Sequence, residues 1–386
     1  MYICRYIVSL LSYSCQSRNK KEDALFSMEN ITRANLQTIT VEVEDFNFED
    51  LGNFLEVTSY IQLAAEPLLA SIQEIQIKNE KIYIHDKFAR IICYDMQGKM
   101  IFKIDAKGAG PGEYTDVNTF VINEQSRELI IYDNHKQSLL FYNADNGIFF
   151  KTQKLVKPDP TAMASLGGVY YYDNRYHSNY PNDTDLYYSL LVSKNAMTMD
   201  RHYFPHNDAE SSYRFRPTRQ PFSYNDSVLY YCRNFDNVIY ELNPDSLKAL
   251  YKIMLPDPLP FSKIENKING WELVNSKYSL GLESIYECNN LLYFQFSKDG
   301  FLQSALYDLI QEKQIYCGKR LTDKVGKSVP IFQLIDGVYK GQFWGVLTPE
   351  TIGYALSKEP KDYPDIFRKY DPDTDNPIIA FYKVVQ

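Results

Sequence analysis

Residues 101–150 read IFKIDAKGAGPGEYTDVNTFVINEQSRELIIYDNHKQSLLFYNADNGIFF, and the punctuation of this stretch decides the fold. Residues 100–104 are a short apolar run. After it comes Gly108-Ala109-Gly110-Pro111-Gly112, in which glycine supplies positive φ and proline fixes φ at about −65°. Such a run suits neither helix interior nor regular strand, so it is a tight connection. Residues 117–122, 128–132 and 138–142 then read as strands. The turn-forming clusters Asn123-Glu124-Gln125-Ser126, Asp133-Asn134-His135 and Asn143-Ala144-Asp145-Asn146-Gly147 follow them in order. Four short antiparallel strands in about 45 residues are the size of one propeller blade.

The pattern recurs. KIYIHDKFARIICYDMQGKMIFKI (81–104) parallels ELIIYDNHKQSLLFYNADNGIFFKT (128–152). Asp86 and Asp133 end a strand, Tyr94 and Tyr142 close the next, and Gly98 and Gly147 follow, with 47 positions between the two aspartates. That spacing lies within the usual blade period. The first full unit is 72–77, 81–85 and 89–94, completed by 100–104, a run also counted as the opening strand of the second. Weaker echoes give 168–172 with 186–193, then 228–233, 238–242 and 249–255. They continue with 291–297, 303–308 and 314–316, and end with 343–347 and 378–385. Blade-like cores therefore begin near 82, 129, 169, 228, 291 and 343, a count of six. Residues 46–386 are expected to form a single domain of this kind.

The order GxGPGEY, a strand, ELIIYD, then LLFY and a glycine turn resembles a blade of the NHL-repeat type. More closely, it resembles the six-bladed β-propeller proteins of Bacteroidetes, many of which are lipoproteins. The resemblance implies an all-β, six-bladed β-propeller of four-stranded antiparallel blades. It also implies that an N-terminal strand, here 54–63, pairs with the C-terminal blade and closes the ring, which removes exposed sheet edges. It brings no assigned catalytic residues.

Composition agrees with sheets. The 386 residues include 33 Tyr and 22 Phe, rings that suit pleated surfaces buried on both faces. The 41 basic and 49 acidic side chains leave a net charge of −8, and no basic stripe is interleaved with aromatics. Nucleic acid is therefore not an expected partner.

Residues 1–15, MYICRYIVSLLSYSC, are mostly apolar and end in small residues before a cysteine. They resemble a bacterial lipoprotein signal that would leave Cys15 acylated, with 16–45 as a linker. A cleaved soluble signal and an uncleaved tail are the alternatives. The expected location is the cell envelope, as an outer-membrane lipoprotein facing the periplasm or the surface. No run of apolar residues is long enough for a spanning helix. Cys93, Cys232, Cys288 and Cys317 have no CxxC spacing and read as buried free thiols, although an export route would permit disulfides.

Three insertions break the period: 195–224, 256–278 and 348–376, the last with a short helix expected at 350–358. Long loops on a rigid scaffold are where binding residues gather. Tyr213, Arg214 and Arg216, with Phe215, Arg219 and Phe222, alternate aromatic and basic residues that could clamp an acidic sugar or a peptide carboxylate. His85, Asp86 and Asp133, with His135 nearby, fall at strand ends where a ring of ligands could hold calcium or a transition metal. The plainer reading of those aspartates is turn capping. His202 and His206 have helical metal-ligand spacing, but Pro205 lies between them. Residues 108–112 lack the Gly-Lys-Ser/Thr ending of a phosphate loop. The expected function is a non-catalytic envelope protein that binds a protein, peptide or glycan and carries no cofactor. The alternative is a metal-dependent lactonase- or lyase-like enzyme with a channel-mouth site.

Overall fold

A computed structural model describes residues 31–32, 35–43, 49–50, 54–155, 158–174, 188–206, 220–266, 269–319, 321–325, 329–332, 335–357 and 364–385. The chain opens with β1 (Ile31–Thr32), β2 (Gln37–Thr40), β3 (Glu49–Asp50) and β4 (Leu55–Gln62). The first four-stranded antiparallel sheet follows as β5 (Ile72–Lys78), β6 (Lys81–Asp86), β7 (Ile91–Asp95) and β8 (Met100–Ile104). The second is β9 (Thr119–Asn123), β10 (Glu128–Asp133), β11 (Ser138–Asn143) and β12 (Phe149–Lys154). The third is β13 (Pro160–Leu166), β14 (Val169–Asn174), β15 (Tyr188–Ser193) and β16 (Arg201–Pro205).

Next come β17 (Phe222–Asn225), β18 (Val228–Cys232), β19 (Val238–Leu242) and β20 (Leu247–Met254), then the short helices α1 (Phe261–Glu265) and α2 (Gly270–Val274). Another four-stranded sheet is β21 (Leu280–Cys288), β22 (Leu291–Lys298), β23 (Phe301–Asp308) and β24 (Lys313–Gly318). The strands β25 (Leu321–Val325) and β26 (Val329–Phe332) make a small sheet with β3. The chain ends with β27 (Gly337–Tyr339), β28 (Gln342–Leu347), helices α3 (Pro349–Leu356) and α4 (Asp365–Arg368), and β29 (Ile378–Val384).

The remaining sheet has ten strands, in the order β1-β20-β19-β18-β17-β27-β28-β29-β4 with β2 also on β20. A single parallel pair, Asn225 with Val338, joins its halves. On either side lies an antiparallel run of four: β17 to β20, and β27, β28, β29, β4. The N-terminal strand is thus the outer neighbour of the C-terminal one, with Leu55 opposite Val384 and Gln62 opposite Ile378.

Burial on both faces explains why the middle strands are nearly continuous apolar runs: in β10 (ELIIYD), every residue after Glu128 is buried. The apolar side chains meet between sheets. Tyr83 and Cys93 pack with Phe120 and Ile131 between the first and second sheets. Ile130 and Phe141 pack with Tyr172 and Leu191 between the second and third, and Tyr171 with Tyr231 and Tyr240 beyond that. Cys232 and Ile239 meet Leu292 and Phe294, and Tyr293 meets Phe343 and Tyr382. Ile379 and Phe381 then return to Ile82 and Ile92 of the first sheet. This is a β-propeller arrangement of antiparallel four-stranded sheets. Each fully buried large side chain stabilises it by about 1.5–3 kcal/mol.

Two strand assignments from sequence need correction. Met100–Ile104 belongs to the first sheet alone, because β8 pairs with β7; the second sheet gains Phe149–Lys154 as its outer strand. The glycine-rich segment is therefore the crossing from one sheet to the next, not a hairpin within a sheet. Gly112 has φ +75°, and a Cβ there would meet the Phe149 ring at 2.7 Å, so only glycine fits. The buried Tyr114 hydroxyl donates to Ala89 O at 2.7 Å, and Tyr142 donates to Gly112 O at 2.7 Å, tying the crossing to both sheets. The inner strands β13, β17, β21 and β27 were also not anticipated, nor was β16, which lies inside the expected insertion 195–224. Three of them are short, polar or kinked: β17 (FSYN) lies inside the expected insertion 195–224, β21 carries two register shifts, and β27 has three residues. The helix expected at 350–358 is α3.

Candidate functional site: the central channel and its mouth

The inner strands β5, β9, β13, β17, β21 and β27 all contribute to one deep cavity of about 220 Å³. Its two ends differ. At one end the turns that follow the inner strands are tied together. Asn225 pairs with Val338, donates from Nδ2 to Ile285 O at 3.1 Å and accepts at Oδ1 from Glu287 N at 2.6 Å. The Asp226 carboxylate accepts from the N–H groups of Lys340 (2.6 Å) and Gly341 (2.8 Å). Lys340 Nζ reaches Glu80 Oε1 at 2.6 Å, and Glu80 N donates to the Tyr339 hydroxyl at 2.9 Å. Lys78, whose pKa burial pushes down, lies 3.2 Å from Glu124 Oε2 and 3.8 Å above the Tyr224 ring. Backbone pairing and matched charges link the turns at this end.

The other end opens into a mouth of about 570 Å³ that shares Gln73, Glu74, Ile75, Gln220 and Asp336 with the deep cavity. Its rim is the segment 68–71, the start of α3 and the segment 372–377. The fully buried Asn376 fastens the rim: Nδ2 donates to Ala64 O (2.6 Å) and Pro67 O (3.0 Å), and Oδ1 accepts from Leu69 N at 2.7 Å. Thr348 caps α3 by accepting from Thr351 N at 3.3 Å. The mouth carries Glu74, Asp336, Glu350, Asp373 and Asp375; among the described residues that line it there is no Lys, Arg or His.

Glu74 and Asp336 sit where the mouth narrows into the channel. Burial pushes the Glu74 carboxyl up to about 7, against the hydrogen bond that Gln76 Nε2 donates to Oε1 at 2.7 Å. Burial also pushes Asp336 up to about 7, against the Val346 N–H at 2.8 Å from Oδ2. Gln76 is 5 % exposed; its Nε2 also donates to Phe120 O at 3.1 Å, and its Oε1 has no hydrogen-bond partner. A buried amide oxygen left unpaired on the wall of a cavity is costly unless something that enters donates to it.

The metal candidates from sequence lie elsewhere. Neither cavity is lined by His85, Asp86 or Asp133. Asp86 is fully buried and accepts at Oδ1 from Phe88 N and Arg90 N (both 3.1 Å) and at Oδ2 from Ala70 N (3.3 Å) and Arg90 Nε (3.0 Å). Burial would raise this carboxyl, but the Arg90 guanidinium and the backbone N–H groups hold it below its usual value. Asp133 takes the corresponding place in the second sheet, with its carboxylate accepting from Thr115 N at 2.6 Å and Lys136 N at 3.0 Å. Asp173 continues the series in the third, accepting from the Thr161 hydroxyl and from Tyr231 at 3.1 Å. In the first and second sheets the repeated aspartate fastens the end of the second strand to the chain entering the inner strand. Burial pushes His85 below its usual pKa.

His202 lies on β16, a strand, against the Tyr188 ring with centroids 4.0 Å apart, and His206 Nδ1 is 3.4 Å from Ser189 Oγ. Among the described residues no group of three or more His, Cys, Asp or Glu could hold a metal ion. Cys93, Cys232, Cys288 and Cys317 are buried free thiols. Tyr213, Arg214, Arg216 and Cys15 lie outside the described residues. The residues that sequence reading missed are Glu74, Gln76 and Asp336. The available signal was the set of polar positions in IQEIQIK, a strand otherwise expected to be buried on both faces.

No curated protein matches the chain. Among solved structures it is similar to a Bacteroides fragilis protein described as exported, at 16% identity, covering 91% of this chain and 100% of that one, with a TM-score of 0.72. It is similar to a member of the DUF4221 family from Bacteroides vulgatus at 10% identity, covering 86% and 99%, with a TM-score of 0.48. It is also similar to virginiamycin B lyase from Staphylococcus aureus at 14% identity, covering 75% and 81%, with a TM-score of 0.41. The first of these shows a shared fold. The family model described as a domain of unknown function, DUF4934, matches residues 36–383, and the chain belongs to that family.

Proposed function

We propose that the chain is a non-catalytic cell-envelope binding protein. It is a six-bladed propeller, tethered through a lipid on Cys15 to the outer membrane, that captures part of a protein, peptide or glycan in the open mouth of its channel. The observation that carries this reading is the asymmetry of the channel. One end is crossed by linked turns and the other widens into a mouth continuous with the deep cavity, which is the geometry of a binding cleft. Six apolar interfaces that lead from the first sheet back to it support the blade count, with β4 on β29 as the closing pair. The likeness to a protein described as exported and the signal-like residues 1–15 support the envelope location.

The test compares the full chain with Ser71→Trp on peptide and glycan arrays. Ser71 is exposed in the mouth, and a large ring there narrows the opening. Binding by the natural chain and its loss in the variant are expected; binding that survives the blockage would remove the mouth from the proposal. For the tether, Cys15→Ala is expected to move the protein from the membrane to the soluble fraction of a Bacteroidetes host, and an unchanged distribution would refute it. Metal uptake that depends on His85, Asp86 or Asp133 would turn the reading toward the metal-dependent enzyme.

A further inference from the structure

We infer that the outer edge of β20, with the groove between it and the β21–β24 sheet, is a strand-addition site. The chain's own residues 37–42, here called the strap, hold it in this structure, and the strap of a second copy takes it by exchange. None of these residues lines the mouth or the deep cavity, so the inference stands apart from the proposed function.

Three observations carry it. First, the strap is surplus to the ring. Each propeller sheet is an antiparallel run of four, and β4 on β29 completes the last of them. Among the described residues β8, β12, β16 and β24 end their sheets with no further strand; only β20 carries more, β1 and β2, and both pair in parallel. Second, the strap is held as a bound peptide is held. Ile39 and Val41 are fully buried in a cluster with Ile253 and Leu255 on one side and Tyr307 and Cys317 of the next sheet on the other. Thr38, Thr40 and Glu42, which alternate with them, are exposed. Ile39 lies opposite Ile253, and Val41 N donates to Met254 O at 3.1 Å. Gln314 of β24 reads the backbone beyond: its Nε2 donates to Glu42 O at 2.8 Å and its Oε1 accepts from Glu42 N at 2.9 Å. Backbone pairing with pockets for alternate side chains is how an extended peptide adds to a sheet edge. Third, the strap covers what water would otherwise reach. Ile253 and Leu255 are 1 % and 5 % exposed beneath it, and without it β20 would present an open edge, a template for another strand.

The resident occupant fixes the chemistry of the incoming one. A second copy brings the same alternation, Thr38-Ile39-Thr40-Val41, and the same backbone for Gln314. Between Glu42 and Leu55 the only strand pairing among the described residues is that of the two-residue β3 with β25. Fully extended, the chain from Val41 to Leu55 reaches about 50 Å, so the strap can cross to a neighbouring rim while β4 stays on β29. Two copies that trade straps bury the same contacts as two that do not, and the pair closes on itself by two-fold symmetry. A strap on its own linker competes at an effective concentration on the order of millimolar, so exchange belongs to concentrated protein and not to dilute solution.

The experiment is disulfide trapping in register. Thr38 and Lys252 are exposed partners on β2 and β20, close enough for cysteines at the two positions to bond. Thr38→Cys and Lys252→Cys are made in separate full-length chains, mixed at about 1 mM, oxidised, and mapped by peptide mass spectrometry. A covalent pair joined from 38 to 252 is expected. Mixing Thr38→Cys with Thr152→Cys, exposed on the outer strand β12, should give at least about tenfold less. The double variant in one chain is the control, and in dilute solution it should close its own 38–252 bond. Closure there with no such bond between the mixed chains would overturn the inference, because the strap then never leaves its own sheet. Equal yield with Thr152→Cys would overturn it as random collision, and no closure in the double variant would remove the strap from β20 altogether. A second measurement needs no new cysteine. Ile39→Asp with Val41→Asp frees the groove, and a synthetic peptide of residues 35–43 should bind that variant at least about tenfold more tightly than the natural chain, whose own strap competes. Thermal melting accompanies it: a variant that does not fold would show that the strap is part of the ring, and equal affinity would show that the peptide does not use the groove. Either result would overturn the inference.

Discussion

The two ends of the channel use the same kinds of side chain to opposite effect. At the end where the turns are linked, carboxylates meet cations or backbone N–H groups: Asp226 takes two amides, Glu124 takes Lys78, and Glu80 takes Lys340. At the open end, Glu74 and Asp336 lean on neutral donors and are pushed up to about 7 by burial. The difference teaches what a propeller asks of each end. Inner strands must be kept from splaying, and charge pairing with backbone bridges does that at one end. At the other, a rim held by Asn376 surrounds carboxyls that meet no cation among the described lining residues.

Breaking the rim should have the largest effect. Asn376→Ala removes three hydrogen bonds at a fully buried site and strands Leu69 N and the carbonyls of Ala64 and Pro67. A loss of roughly 2–4 kcal/mol is expected in urea unfolding. A loss below about 1 kcal/mol would mean that the rim is held by something else.

The pH dependence sharpens the contrast next. Glu74 and Asp336 hold their protons in the folded chain after an unfolded chain has lost them, since their ordinary values are 4.5 and 3.8 and their folded values about 7. Their contribution to stability is complete below the unfolded values and is lost as the pH climbs to about 7. On the order of 1–3 kcal/mol for each is expected to disappear over that window. Glu74→Gln and Asp336→Asn should flatten the decline, and melting curves between pH 4 and pH 8 read it directly. A slope unchanged in both variants would place the titration elsewhere.

The smallest effect belongs to the end where the turns are linked. Lys340 and Glu80 are largely exposed, so Lys340→Ala should leave the melting temperature unchanged while the backbone amides of 340 and 341 continue to bind Asp226. A marked loss would show that the surface pair, and not the backbone bridge, links the turns.

Sequence reading was strongest where a strand is buried on both faces. Residues 128–133 and 238–242 announce themselves by continuous apolar and aromatic residues bounded by turn formers, and β19 has the expected limits. It was weakest at the inner strands. Those edges face a cavity and the neighbouring turns, so their residues mix polar and apolar types and carry register shifts, as in β13 and β21. The candidate site suffered for the same reason, because Glu74 and Asp336 become neighbours of one cavity only after the chain has travelled around the fold. The repeated aspartate was legible as a repeat. Its capping of the turn that follows was legible too, and Asp86 and Asp133 accept there from Phe88 N, Arg90 N and Lys136 N; the reach to the amides of Ala70 and Thr115 was not.

The pairing of β4 with β29 bears on the order of synthesis. Leu55 leaves the ribosome long before its partner Val384. The run of β27, β28, β29 and β4 therefore has no outer pair until β29 has been made. Until then β4 waits as an unpaired edge, and the apolar faces of the first sheet lack the side chains of Ile379 and Phe381. A chain threaded across a membrane N-terminus first would thus remain open until β29 has crossed. Loss of the final strand would return the exposed edge that the closed form conceals.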